Sequence, residues 1–306
     1  MSKRLKSWGM LLFLSLIWGS SFILMKRGMI DKATGNLIFT NNQVGAMRML
    51  FSSAALLPIG LRNIKIVSSF KIGFSLFIVA LMGNFLPAFL FTYAETGISS
   101  GYAGMLNSAT PIFTLIFGSL LFKDKLYRLQ VLGVGLGTIG IIGLVNGVTV
   151  VDTSGTWFHV GAVVLATVCY SLSANTLHHN LSHLKALKVT SVAFSFSFVP
   201  ALLLFFYFNT PQTILHHENA PNALIYILIL ALVGTALSVV IFNQLIKQTS
   251  ALFASSVTYL IPIVAVVLGF IDGETISWIQ VISMGVILSG IFVANGLTKK
   301  RSKINS

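Results

Sequence analysis

Charge is the scarcest property of this sequence. Only 9% of its 306 residues are Asp, Glu, Lys or Arg, while 55% are apolar and the mean hydropathy is +0.89. Soluble domains carry about 25% charged residues. So little charge cannot cover a water-facing surface, which excludes a soluble globular chain and makes membrane lipid the expected surroundings. Cysteine is almost missing: Cys169 alone excludes an internal disulfide, and its apolar neighbours make it a small buried residue. Acids number only seven, and none lies in the central part of an apolar run. That removes the paired carboxylates and His–acid arrangements that hydrolysis or group transfer needs, and no loop is large enough for a catalytic domain. There is no zinc-ligand spacing, and His178, His179 and His183 at i, i+1 and i+5 make a poor metal pattern. The glycine-rich GVGLGTIGIIGLVNG (Gly133 to Gly147) follows no strand and precedes no suitably placed lysine, so it is no phosphate cradle. An enzyme, a metal and a cofactor are therefore not expected.

Long apolar runs fill the chain instead. They fall near 8–25, 43–61, 72–92, 100–122 and 129–147, then near 158–177, 189–208, 222–243, 251–271 and 278–296. They are continuously apolar rather than alternating, so helices are expected and strands are not. Each can cross a hydrocarbon core of about 30 Å with modest tilt. The N-terminal MSKRLKSWGMLLFLSLIWG imitates a signal peptide but lacks a small-residue cleavage signal, and reads as the first span.

The net charge of +13 would suggest nucleic acid in a soluble protein. Here it reads as topology. With the N-terminus inside and ten spans, 16 of the 20 basic residues fall on the inner side, ending with Lys299, Lys300, Arg301 and Lys303. Six of the seven acids (Asp31, Glu95, Asp152, Glu218, Asp272 and Glu274) fall outside, with Asp124 inside. The positive-inside rule thus predicts a multi-pass plasma-membrane protein with both termini cytoplasmic and no nucleic-acid partner. Lys26, Arg27, Lys32 and Arg48 are the four basic residues left around the first outer loop.

The two halves match at a nearly constant shift. Gly9, Trp18 and Ser21 fall on Gly161, Tyr170 and Ser173; Gly83, Ala103, Pro111 and Gly118 on Gly234, Ala254, Pro262 and Gly269; Gln130, Gly135 and Gly140 on Gln280, Gly285 and Gly290. Two copies of a five-helix unit are expected, over 1–150 and 151–306. Five crossings are odd, so the second copy starts from the opposite side and the repeats are inverted, an architecture of secondary transporters. Pro111 and Pro262 each free a carbonyl one turn earlier and bend a helix, around Asn107 and around Thr258–Tyr259. The alternative is that they only shape packing.

LIWGSSFILMKRG (Leu16 to Gly28), Arg48 in GAMRMLFSSAALLP, YAETGISSGYAGMLNSATPIFTLIFGSLLFKDKL and QTSALFASSVTYLIPIVAVVLGFIDGETISWIQVISMGVILSGI resemble the EamA-type transporters of the drug/metabolite transporter superfamily. The resemblance runs from about residue 8 to 297. It implies an all-α membrane fold of ten helices in two inverted five-helix repeats around a central cavity, and a solute such as an amino acid, amine, drug or related metabolite, with export favoured. Pro262 and Glu274 resemble the family's proline and its acid between the last two helices. Asp124 stands where a glutamate is usual, Glu95 where an apolar or basic residue is more frequent, and Tyr170 and Ser171 oppose Trp18 and Gly19. A receptor or assembly protein without transport and an intramembrane transferase are the alternatives.

The polar groups expected to line a path are Trp18, Ser21, Asn84, Tyr93, Asn107, Thr110, Tyr170, Thr235, Gln244, Thr258 and Tyr259. Rings beside a few donors suit an organic solute better than a bare ion, although interhelical hydrogen bonds alone could satisfy them. Arg48 either faces the bundle interior, holding a carboxylate or polar headgroup of a solute, or serves structure and topology. Lys26 and Arg27 read as interface anchors. Glu95 reads as a solvated turn residue, or as a partner of Arg48 or Lys26 with a part in proton coupling. The small residues Gly133, Gly137, Gly140, Gly147, Gly285 and Gly290 predict close helix packing. Coupling to an ion or proton, and assembly as a homodimer, are compatible with the sequence and not specified by it.

Overall fold

The computed structural model describes residues 3–125, 127–146, 156–249, 254 and 257–296, and these are helical almost throughout. Helix α1 spans Lys3–Met29 and α2 spans Asn41–Arg62. Thr40 and Gln43 form a capping box at the start of α2: each side chain bonds the other's backbone N–H, at 3.3 and 2.9 Å. The Gln43 amide also donates to the Phe208 carbonyl at 3.0 Å and to Thr213 Oγ1 at 2.8 Å, which fixes the entry of α2 against the far half of the chain.

The third apolar run is interrupted. Helix α3 (Phe70–Ala80) passes through a π-helical segment, Leu81–Phe85, into α4 (Leu86–Ala94). The fourth run also has two parts, α5 (Ser100–Asn107) and α6 (Thr110–Phe122), and Pro111 stands in the first turn of α6. There its missing N–H costs nothing, so the proline starts a helix rather than bending one. Helices α7 (Arg128–Asn146), α8 (Thr156–Asn180) and α9 (Ala186–Tyr207) follow. A short α10 (Thr210–His216) leads to α11 (Ala220–Ala231), which passes through a second π segment, Leu232–Leu237, into α12 (Ser238–Gln248). The last two are α13 (Val257–Ile271), with Pro262 in its interior, and α14 (Trp278–Gly296).

Among the described residues, seven helical stretches are long and apolar enough to cross a membrane: Leu5–Met29, Asn41–Arg62, Phe70–Ala94, Ser100–Phe122, Trp157–Asn180, Ala186–Tyr207 and Ala220–Leu245. Three more apolar helices, Arg128–Leu144, Leu260–Ile271 and Trp278–Gly290, are shorter. They occupy the fifth, ninth and tenth of the ten spans expected, and fall short of the roughly 20 residues that an untilted crossing asks. The observed fold is an all-α, multi-pass membrane protein.

Helices from the two halves pair with each other. α2 lies on α9, α7 on α14, α1 on α13 and α4 on α8, and α13 also meets α5. A large apolar cluster holding Leu14, Phe22, Phe91, Leu106, Ala166, Leu230 and Ile261 joins residues from both halves. Helices α7 and α14 approach closely: a Cβ on Gly140 would lie 2.8 Å from the Ile287 nitrogen, and one on Gly290 would lie 2.6 Å from the Gly133 carbonyl oxygen. Gly285, by contrast, faces open space, and Gly147 lies outside the described residues.

Candidate functional site: a polar seam beneath a charged latch

The π segments sit at matching places in the two halves. In a π turn the backbone ring widens by one residue and carbonyls lose their regular partner. The Gly234 carbonyl takes side-chain donors instead: Trp18 Nε1 at 3.1 Å and Ser238 Oγ at 2.6 Å. Trp18 also donates to Ser238 Oγ at 2.9 Å, and its ring leans on Phe242 with centroids 4.9 Å apart. Ser21, one turn on, faces Gly234; a Cβ there would come 3.2 Å from its hydroxyl oxygen. The converse contact occurs across the bundle, where the Ser173 hydroxyl fills the space beside Gly83. Each half thus lays its first helix on the π segment of the other.

Arg48 lies in this seam with 9% of its surface exposed. Its Nε donates to Thr235 Oγ1 at 2.9 Å, and that hydroxyl donates on to the Leu230 carbonyl at 2.9 Å, five residues back through the π turn. The guanidinium also reaches Met25 Sδ at 3.5 Å and has Tyr170 and Glu95 as electrostatic neighbours. Tyr170 stacks on Phe91, centroids 5.9 Å apart. Asn84 is buried within the first π segment. Asn107 is buried at the end of α5, where Thr110 Oγ1 donates to its carbonyl at 2.8 Å. From α8, Ser171 Oγ donates to the Thr110 carbonyl at 3.0 Å and Asn175 Nδ2 to the Thr114 carbonyl at 3.0 Å, binding the α5–α6 break to α8.

Trp18, Ser21, Arg48, Thr235 and Tyr170 therefore share one seam. Tyr93 and Gln244 stand apart from it. Tyr93 is 39% exposed and stacks on His159, and Gln244 is exposed while its neighbour Asn243 is buried, donating to Thr190 Oγ1 at 2.6 Å. Thr258 is half-buried on α13; Tyr259 lies on the same helix, its side chain outside the described residues.

Above the seam, at the end where α1 finishes, is a cluster that the sequence alone does not assemble. Lys26 Nζ lies 2.9 Å from Glu274 Oε1 and 3.1 Å from Asp272 Oδ2; Arg27 pairs with Asp272, and Lys32 reaches it at 3.5 Å. Glu274 also accepts the backbone N–H groups of Ser100 and Gly101, at 3.0 and 2.9 Å, and so caps α5 from the α13–α14 loop. Lys26 and Arg27 thus act as ion-pair partners, beyond the interface anchors expected of them. A signal was present: four basic residues on the side the positive-inside rule leaves poor in them need acids, and the α13–α14 loop supplies two.

Glu95 is the other surprise. The carboxyl expected in a solvated turn is only 6% exposed. Its Oε2 is 3.5 Å from Ser100 Oγ, and its Oε1 is buried without a hydrogen-bond partner. Burial pushes Glu95 well above the usual carboxylate range; the charge of Glu274 adds to this, and Lys26, Ser100 and Arg48 oppose it. For Glu274 burial pulls the same way, but the Gly101 N–H, Lys26 and the Ser100 N–H outweigh it and hold the carboxyl below that range.

At the opposite end of the helices, Asp124 Oδ2 meets His179 Nε2 at 3.1 Å, and His179 stacks on Phe122 with centroids 4.5 Å apart. A cleft of about 410 Å³ opens beside them, lined by Lys71, Ser75, Phe122, Thr176 and Asn180 among others. No group of three or more potential metal ligands occurs among the described residues.

The sequence profile of the EamA-like transporter family matches the chain twice, over residues 6–146 and 157–296. Among curated proteins, the "Uncharacterized inner membrane transporter YedA" of Escherichia coli is 26% identical over 92% of this chain and 88% of its own length. The "Probable amino-acid metabolite efflux pump" of Salmonella typhimurium is 22% identical over 92% of each. A solved crystal structure shares the fold with a TM-score of 0.61 at 15% identity, covering 96% of this chain and 98% of the other.

Proposed function

The chain belongs to the EamA-like transporter family, and from that premise we propose that it carries a small organic solute across the plasma membrane by alternating access. Members of the family are membrane transporters for small molecules and not enzymes. The solute is an amino acid, amine, drug or related metabolite, and export is the direction favoured, a reading supported by the efflux relative in Salmonella typhimurium. Ten crossings in two inverted repeats, residues 1–150 and 151–306, enclose the pathway, with both termini in the cytoplasm.

The observation that carries this reading is the reciprocal contact of Ser21 with Gly234 and of Ser173 with Gly83. Two halves that each seat a helix on the other's π segment can exchange arrangements, and this exchange opens a pathway first to one side and then to the other. The repeated profile match supports the same two units. Trp18, Ser21, Arg48, Tyr170 and Thr235 line the solute path, joined by Asn84, Asn107, Thr110, Thr258 and Tyr259. Pro111 and Pro262 shape the helices around it.

A growth screen against toxic amino acids, amines and drugs, with and without expression, narrows the solute class. Flux into sealed vesicles, with and without a proton gradient, then measures transport. Pro262→Leu is expected to lose flux more than membrane abundance, and Asn107→Leu to change affinity or preference. Unchanged flux in both variants contradicts the assigned pathway.

A further inference from the structure

Glu95 is left unexplained by the solute pathway. It caps α4, donating its own N–H to the Phe91 carbonyl at 3.0 Å, and it is buried. Ser100 stands between two acids: its backbone N–H goes to Glu274, while its hydroxyl is the nearest partner of Glu95. An ionised carboxylate needs several donors when buried, and Glu95 has one long contact and an Oε1 with none. The groups that face it are Lys26 from α1, Arg48 from α2, Glu274 from the α13–α14 loop and Ser100 from α5. Helix α8, packed on α4, brings His159 against Tyr93 and Tyr170 against Phe91. Of the two cations that act on it, Lys26 is already engaged by Glu274 and Asp272, and Arg48 donates to Thr235. Glu95 thus lies between the latch and the Arg48 seam, cut off from water while the latch holds.

We propose that Glu95 is a proton-binding site of the transport cycle: it carries a proton while the Lys26–Glu274 latch is shut and releases it to water when the latch opens. This rests on the alternating-access reading above. The balance is one O–H bond broken and one carboxylate formed on opening, with the proton delivered to the aqueous phase at that end, and the reverse on closing. The direction of the effect follows from burial. Burial and the Glu274 charge raise the carboxyl's affinity for a proton in the shut state, and hydration lowers it in the open state. Above the pH at which Glu274 itself takes up a proton, the shut latch is therefore favoured on the acid side and is lost as pH rises through the raised, shut-state value of Glu95.

The test uses full-length protein in liposomes, with Cys169→Ser removing the native thiol and spin labels at Thr34→Cys and Thr275→Cys, exposed positions on the two sides of the latch. The label distance should widen with rising pH as a one-proton transition, complete within about two pH units. Glu95→Gln should remain short across the range, and Glu95→Asp should keep the transition with a displaced midpoint. Glu274→Gln should widen at every pH. A parent distance that ignores pH, or a Glu95→Gln profile that matches the parent, overturns the proton site. If Glu95→Gln does not fold, an undisplaced midpoint in Glu95→Asp overturns it equally. If neither Glu274→Gln nor Glu274→Gln with Asp272→Asn, which also removes the pairs of Lys26, Arg27 and Lys32, lengthens the distance, the opening of this end is overturned, and with it the alternating-access reading itself.

Discussion

At one end of the bundle Gly273 stands at φ 93° and the backbone N–H of Glu274 bonds back to the Gly269 carbonyl at 2.9 Å; at the other, Lys123 stands at φ 60° and Asp124 bonds back to Gly118 at 3.1 Å. Both turns press an acid against a glycine. Beyond that they differ. The Glu274 side chain is 5% exposed and meets Lys26 and two backbone N–H groups, whereas the Asp124 side chain is 50% exposed and meets one histidine. The same backbone device is therefore armed as a buried latch at one end and as a light surface contact at the other. Breaking a buried ion pair costs about 3–5 kcal/mol, while an exposed pair contributes about 0–1 kcal/mol. The structure holds its Lys26 end shut far more firmly than its Asp124 end, beside which the cleft lined by Phe122 and Asn180 opens.

The sharpest way to break this contrast is Glu274→Gln. It leaves α5 without its anionic cap and Lys26, 27% exposed, with Asp272 alone, and weakening these charged hydrogen bonds is expected to cost about 3 kcal/mol, read as a fall in the midpoint of thermal unfolding in detergent. The parent should also lose stability on acidification. The lowered Glu274 carboxyl contributes fully above its unfolded value, and that contribution goes as pH falls through the folded value. Glu274→Gln should lack this acid limb, and an identical limb in both proteins would contradict the assignment.

Next in size is Gly269→Ala against Gly118→Ala. The new methyl collides with the fixed Glu274 carboxylate in the first case. In the second it comes 3.0 Å from Asp124 Oδ2, a group free to swing into solvent, and 3.1 Å from Asn175 Oδ1. The expected cost is about 1–3 kcal/mol for Gly269→Ala and less for Gly118→Ala, and equal unfolding midpoints would remove the contrast. Trp18→Phe keeps the ring but loses the donor to Gly234 and Ser238, for about 1 kcal/mol. Its expected signature is altered vesicle flux at unchanged membrane abundance. The smallest effect belongs to His179→Gln, under about 1 kcal/mol. A loss as large as that of Glu274→Gln would mean that the two ends are equally secured.

The helices were legible because apolar length is a one-dimensional signal, and close packing at Gly140 was legible from its small size, though not its partner on α14. The π segments were not, since nothing in LMGNF or LVGTAL announces one extra residue per turn. Pro111 and Pro262 look alike in sequence yet differ in place, one starting α6 and the other inside α13, because a break at Ser108–Ala109 precedes the first, whereas the described helix around the second is continuous from Val257 to Ile271. The Arg48–Thr235 bond spans 187 residues and the Lys26–Glu274 pair spans 248. Composition offers both partners of each pair, but only the tertiary fold brings them together. Gln244 against Asn243 shows the finer limit: adjacent amides on a helix point about 100° apart, and the apolar pattern of α12 does not say which one is buried.

The most direct test of the account measures both ends in one preparation. One pair of labels at Thr34 and Thr275 reports the latch, and a second at Lys125 and His178, exposed beside Asp124 and His179, reports the other end. Alternating access predicts opposed changes when Glu274→Gln opens the latch: the first distance lengthens and the second shortens. If the two distances lengthen together, or the second does not move, the ends are not coupled and the proposed mechanism is wrong.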